Sequence, residues 1–221
     1  MIIQALIKYT PYSGLLGILP TSGWQSNLSI LADLKNYGFS NIILAEMAAR
    51  NCINNNGAFS RDQIYLGFDF EGTIEQCITT WDRGIVAGCY IDEPSETYPC
   101  AQARYRLQNS IIPLWRNKFG YSSKIVLGDR THRLVHEFDD LVDVVNQSSY
   151  RDYSYFFFGV YDFIYTEADQ RDVWNSFNSS FSNKFNCLWI SANSDQEEFS
   201  DLIGHARNIG KNQVWLFDGG D

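Results

Sequence analysis

Short runs of strand character recur along the 221-residue chain, and helical periodicity fills most of the gaps between them. Strand runs are read at 2–8, 41–46, 64–70, 85–93, 124–129, 155–163, 187–192 and 213–218. Helices are expected at 26–38, 73–82, 98–118, 131–145, 168–185 and 196–208, with Ser26 as the first N-cap and Gly38, Gly84, Gly120 and Gly210 near four of the ends. Residues 9–25, with Pro11 and Pro20 among glycines, read as a long loop. Residues 48–63 contain Asn-Asn-Asn-Gly and little periodicity, so the helix after the second strand is expected to be short or missing.

Strands separated by helices need crossover connections, and crossovers make a parallel sheet. Eight strands in a row allow closure into a single (β/α)8 barrel of the TIM type, an α/β fold of about 250 residues. That barrel, spanning 1–221 as one domain, is the expectation. The competing fold is an open doubly wound sheet, but no GxGxxG follows the first strand. No eighth helix follows Asp218. Either the flank of the eighth and first strands is covered by the 9–25 loop or by a neighbour, or the chain has been cut short there.

The formal net charge is -9, which disfavours nucleic acid and anionic lipid as partners. No run approaches the length of a membrane span, and the opening Ile-Ile-Gln-Ala-Leu-Ile is too short for a signal sequence. A soluble protein is expected, either cytoplasmic or secreted with its signal removed. Five scattered cysteines without a CxxC pair argue against a disulfide framework and against a zinc site. Aromatic residues make up 15% of the chain, enough to supply stacking surfaces as well as core.

In a barrel the chemistry sits at the C-terminal ends of the strands. Those ends are read as Lys8, Glu46, Asp69, Asp92 with Glu93, Asp129, Tyr161 with Asp162, Asn193, and Asp218. The fourth strand is the sharpest case. An apolar run stops at two acids and Pro94, which has no N–H to continue a ladder. Side-chain alternation groups Tyr65, Gly67 and Asp69; Gly88, Tyr90 and Asp92; Ile125, Leu127 and Asp129; and Val214, Leu216 and Asp218. These four sets are expected to face inward. Acids crowded in one cleft hold different proton affinities, so one pocket can provide both a proton donor and a base. Such a pair suits hydrolysis of a glycosidic bond. Trp24 is a candidate sugar-stacking ring, with Tyr9, Tyr12 and Trp189 beside it in that role.

Asp92-Glu93-Pro94 resembles the Asn-Glu-Pro found at the end of the fourth strand in the superfamily of barrel glycoside hydrolases. The resemblance implies that Glu93 is the acid/base. The superfamily places its nucleophile, a glutamate, at the end of strand seven. Here that end reads Ser191-Ala192-Asn193, so the nucleophile does not carry over. Tyr161-Asp162 is similar to the Tyr-Asp pair of chitinase-like barrels. The Asp-Glu-Pro also resembles one in cobalamin-independent methionine synthases, whose zinc ligands have no counterparts here. With Glu93 as donor, Asp162 is expected as base or nucleophile and Asp92 as the residue that orients Glu93. Glu46, Asp69, Asp129, Asn193, Asp218, Lys8, Tyr161 and Trp24 are expected to line the substrate site, and no cofactor or resident metal is expected.

Two other functions compete with the glycosidase. One is a lyase or hydrolase dependent on a divalent metal, with Mg²⁺ or Ca²⁺ on the oxygens of Asp69, Asp92 and Asp129. The other is a barrel without catalysis that binds a glycan or a protein. His132 and His136 stand four apart, but without the surrounding motif of a metalloprotease they read as part of a solvated helix.

Overall fold

The computed structural model describes residues 15–20, 22–68, 86–93, 107–120, 124–129, 155–158, 188–191, 204, 208 and 214–217. Eight strands run in one parallel sheet: β1 Leu15–Leu19, β2 Asn41–Leu44, β3 Ile64–Phe68, β4 Gly88–Glu93, β5 Lys124–Asp129, β6 Tyr155–Phe158, β7 Leu188–Ser191 and β8 Val214–Phe217. Their order is β6-β5-β4-β3-β2-β1-β8-β7, which is the chain order wrapped into a circle. The two outermost strands, β6 and β7, also lie close to each other.

The middle of the sheet is apolar on both faces. Ile42, Ile43 and Leu44 of β2 and Ile64, Tyr65 and Leu66 of β3 are all buried, as expected of parallel strands covered on two sides. One contact reports the curvature directly. The rings of Tyr65 on β3 and Trp215 on β8 meet edge to face, with centroids 5.5 Å apart. Two strands, β2 and β1, separate β3 from β8 along the sheet. Neighbouring strands are about 4.8 Å apart, so a flat sheet would hold these rings roughly 14 Å from each other. They touch because the sheet curls and both rings fill its concave side.

Four α-helices are described: α1 Ser22–Gln25, α2 Leu28–Tyr37, α3 Glu46–Asn54 and α4 Ile112–Phe119. In α2 the side chains of Leu31, Leu34 and Tyr37 are buried, following the 3.6-residue period. The helix stops at Gly38, whose φ of 123° suits a residue without a Cβ, and Phe39 N–H donates to Leu34 O. α4 buries Ile112, Trp115, Arg116 and Phe119. The Arg116 charge on α4 opposes part of the upward shift that burial imposes on the Cys89 thiol of β4.

Several expectations need correction. The first strand of the sheet is 15–19, inside the segment read as a loop. Leu15-Leu16-Gly17-Ile18-Leu19 is apolar, but its glycine and the nearby prolines resemble loop punctuation. The structure gives Gly17 another role: a Cβ there would overlap the Trp215 ring. Residues 2–8 lie outside the described residues, and the strand paired with both β2 and β8 ends at Leu19, not Lys8. The N-cap of α2 is Asn27, not Ser26. The helix after β2 is present, with nine residues, and it begins at Glu46, so Glu46 is not a strand tip. The expected helices at 73–82, 131–145, 168–185 and most of 98–118 and 196–208 lie outside the described residues.

Candidate functional site

The C-terminal ends of β1 to β8 are Leu19, Leu44, Phe68, Glu93, Asp129, Phe158, Ser191 and Phe217. Parallel α/β sheets take their ligands at this end. Three carboxylate-bearing positions meet there on two adjacent strands. In the β4–β5 ladder Glu93 stands in register with Asp129, and Asp92 with Gly128. Neighbouring strands are about 4.8 Å apart, so Glu93 and Asp129 occupy adjoining positions in one row, and Asp92 takes the alternate row.

The register also sorts positions into rows. Trp215 and Tyr65 mark the concave row. Through Ile43, which is paired with Tyr65, and through the Tyr65–Gly88 and Gly67–Tyr90 pairs, that row reaches positions 88, 90 and 92 of β4. On β5 it takes 124, 126 and 128. Positions 125, 127 and 129 stand opposite Cys89, Ile91 and Glu93, in the convex row. The inward set expected for the fifth strand is thus the opposite one. The eighth strand is corrected in the same way. Its buried Trp215 faces Tyr65 across the concave side, so the row expected inward, 214 and 216, is the outer one. Leu216 and Trp215 are both fully buried, so hydrophobicity does not separate the two faces.

On the neighbouring side of the rim, Glu46 opens α3 and is already engaged. Its Oε1 accepts from Arg50 Nε at 3.0 Å and from the terminal guanidinium nitrogen at 2.6 Å. A carboxylate in the first turn also suits the positive end of the helix dipole. Trp24 is half-buried on α1, directly after β1. Lys8, Asp69, Tyr161, Asp162, Asn193 and Asp218 lie outside the described residues. Among the described residues, no group of three or more His, Cys, Asp or Glu side chains is placed to hold a metal ion. No described helix is long and apolar enough to cross a membrane.

One rim residue has no forerunner among the sequence expectations. Gln25 Oε1 accepts from Ala45 N–H at 2.8 Å, and Gln25 Nε2 donates to Pro20 O at 3.1 Å. A glutamine in a stretch of glycine and proline carries no periodic signal, so nothing in the sequence pointed to it.

No family model matches the sequence, and no curated protein matches it. Solved structures do. A citrate lyase from Burkholderia xenovorans LB400 superposes with a TM-score of 0.52 over 98% of this chain and 77% of that one, at 10% sequence identity. At that identity the likeness concerns the fold: a parallel α/β sheet like that of a TIM-type barrel protein.

Proposed function

We propose that the chain is a barrel enzyme of the lyase or hydrolase class that binds a divalent cation through carboxylate oxygens at the C-terminal end of the sheet. The observation that carries this reading is the β4–β5 register, which brings positions 92, 93 and 129 to one edge. Asp92, on the concave row, is the central ligand; Asp129, which closes β5 on the convex row, and Asp69, outside the described residues, are the further ligands to test. Carboxylate oxygens are the donors that Mg²⁺, Mn²⁺ and Ca²⁺ prefer, so the donor set fits a hard cation. A protein of net charge -9 with acids at its mouth repels an anionic substrate. The structural neighbour is named for citrate, a tricarboxylate. A substrate of that kind would need the acids offset, and a bound cation would both do this and polarise a substrate oxygen.

Thermal unfolding in the presence of Mg²⁺, Mn²⁺ or Ca²⁺ tests the proposal. A cation present at a hundred times its Kd stabilises the folded state by about 2.7 kcal/mol, a rise of several degrees. The rise should vanish with chelator and in Asp92→Asn. Indifference of the parent protein to all three ions would remove the reading. The glycosidase, with Glu93 as donor and Asp162 as base, draws no support from the structural likeness. It stands or falls on turnover of aryl glycosides and its loss in Glu93→Gln.

A further inference from the structure

We infer that Gln25 is a positioning residue that locks the β1–β2 side of the mouth into a fixed wall. The inference rests on the reading that ligand binds at this end of the sheet. Pro20 is the first residue after β1, and Ala45 the first after β2. The Gln25 amide uses its donor on one and its acceptor on the other, so a single side chain fastens two adjoining strand ends. Ala45 is the N-cap of α3 and brings no side-chain cap of its own. Gln25 therefore supplies the acceptor that Ala45 N–H needs at this helix start. A second tie follows immediately. Asn51, in the second turn of α3, donates through Nδ2 to Ser26 O at 3.1 Å.

Both ties to α3 and its cap lie at Gln25 and Ser26, and the bond to Pro20 O draws the end of β1 onto the same amide, with Trp24 next to it in the chain. A wall fixed in advance loses little conformational entropy when ligand arrives, and that preserves affinity. Neither glutamate nor alanine replaces Gln25 in full. Glutamate keeps the acceptor but cannot donate to Pro20 O, and alanine keeps neither.

The test compares Gln25→Ala and Gln25→Glu with Ser60→Ala. Ser60 belongs to a capping box at the opposite end of β3, so it controls for stability lost away from the mouth. Two quantities are measured. One is hydrogen exchange at the amides of 22–27 and 45–49. The other is the affinity of the Mn²⁺-loaded protein for malonate, beside its affinity for Mn²⁺ alone. Gln25→Ala should speed exchange at Ala45 and weaken malonate binding about tenfold, as losses of supporting contacts around a site commonly do. Its Mn²⁺ affinity should stay at the parent value, because Asp92 and Asp129 belong to β4 and β5. Gln25→Glu should keep Ala45 protected, and Ser60→Ala should change neither quantity. Faster exchange in Gln25→Ala with unchanged malonate affinity would reduce Gln25 to a structural residue and overturn the inference. So would exchange equal to the parent's. If the parent takes up no Mn²⁺, the cation reading fails separately, and exchange at Ala45 alone decides whether the lock exists.

Discussion

Asn27 shows how a single oxygen decides where a helix begins. Its Oδ1 accepts from Ser29 N–H at 3.1 Å and from Ile30 N–H at 3.2 Å, satisfying two donors that the first turn of α2 leaves open. Asn27→Ala should cost about 1 kcal/mol in urea unfolding, whereas Ser26→Ala should change stability by only a few tenths. Equal losses would mean that the cap is shared. Cys89 carries a different consequence. Burial pushes its thiol well above the ordinary range, and the nearby Arg116 offsets only part of the effect. A raised folded value means that the folded state keeps its proton after the unfolded chain has lost it. The stabilisation is therefore complete below about pH 8.5, the unfolded thiol value, and declines as the pH rises beyond it. Cys89→Ala should flatten the alkaline decline in stability between about pH 8.5 and 10.5. An unchanged decline in that variant would assign it to other groups.

At the scale of elements, the β1–β8 pair fits closely. Gly17 stands in register with Trp215 and has no room for a Cβ beside the indole. Gly17→Ala should destabilise by about 3 kcal/mol, the upper range for overpacking a dense core. Trp215→Ala alone should cost roughly 3–5 kcal/mol through the cavity it leaves. Because the three atoms nearest to a Cβ at 17 all belong to the ring, the double variant should cost much less than the sum of the two. Additive losses would show that Gly17 is needed for its backbone and not for space. This pair also explains the misplaced first strand. The glycine that looks like loop punctuation is a strand residue emptied to admit a partner's tryptophan from the other end of the chain.

For the molecule as a whole, the circular strand order makes the last strand a bridge. β8 hydrogen-bonds both β1 and β7, joining strands from opposite ends of the sequence. Deleting residues 213–221 would open two sheet edges at once. The shortened chain should lose its cooperative thermal transition and aggregate, as light scattering would show. A monomeric truncated chain with a sharp transition would mean that closure does not depend on β8. Such non-local pairings also cost loop entropy before they return any contact, so folding should depend on a late docking of β8.

Strand 124–129 was legible to the residue, and six of the other seven strands within a few positions, because alternation of strand and helix is a local property. Asp92 and Glu93 could be placed at a strand end for the same reason: an apolar run followed by acids and proline marks its own limit. Row assignment followed another rule. Where both faces of a strand are apolar, as on β8, nothing local says which side looks into the curl, and the fit of Trp215 against Tyr65 and Gly17 settles it. The Gln25 tie is likewise invisible along the chain, since it exists only once the ends of β1 and β2 lie side by side. Periodicity is encoded by near neighbours, whereas inward and outward, and who fastens whom, are properties of surfaces that meet only when the sheet has curled.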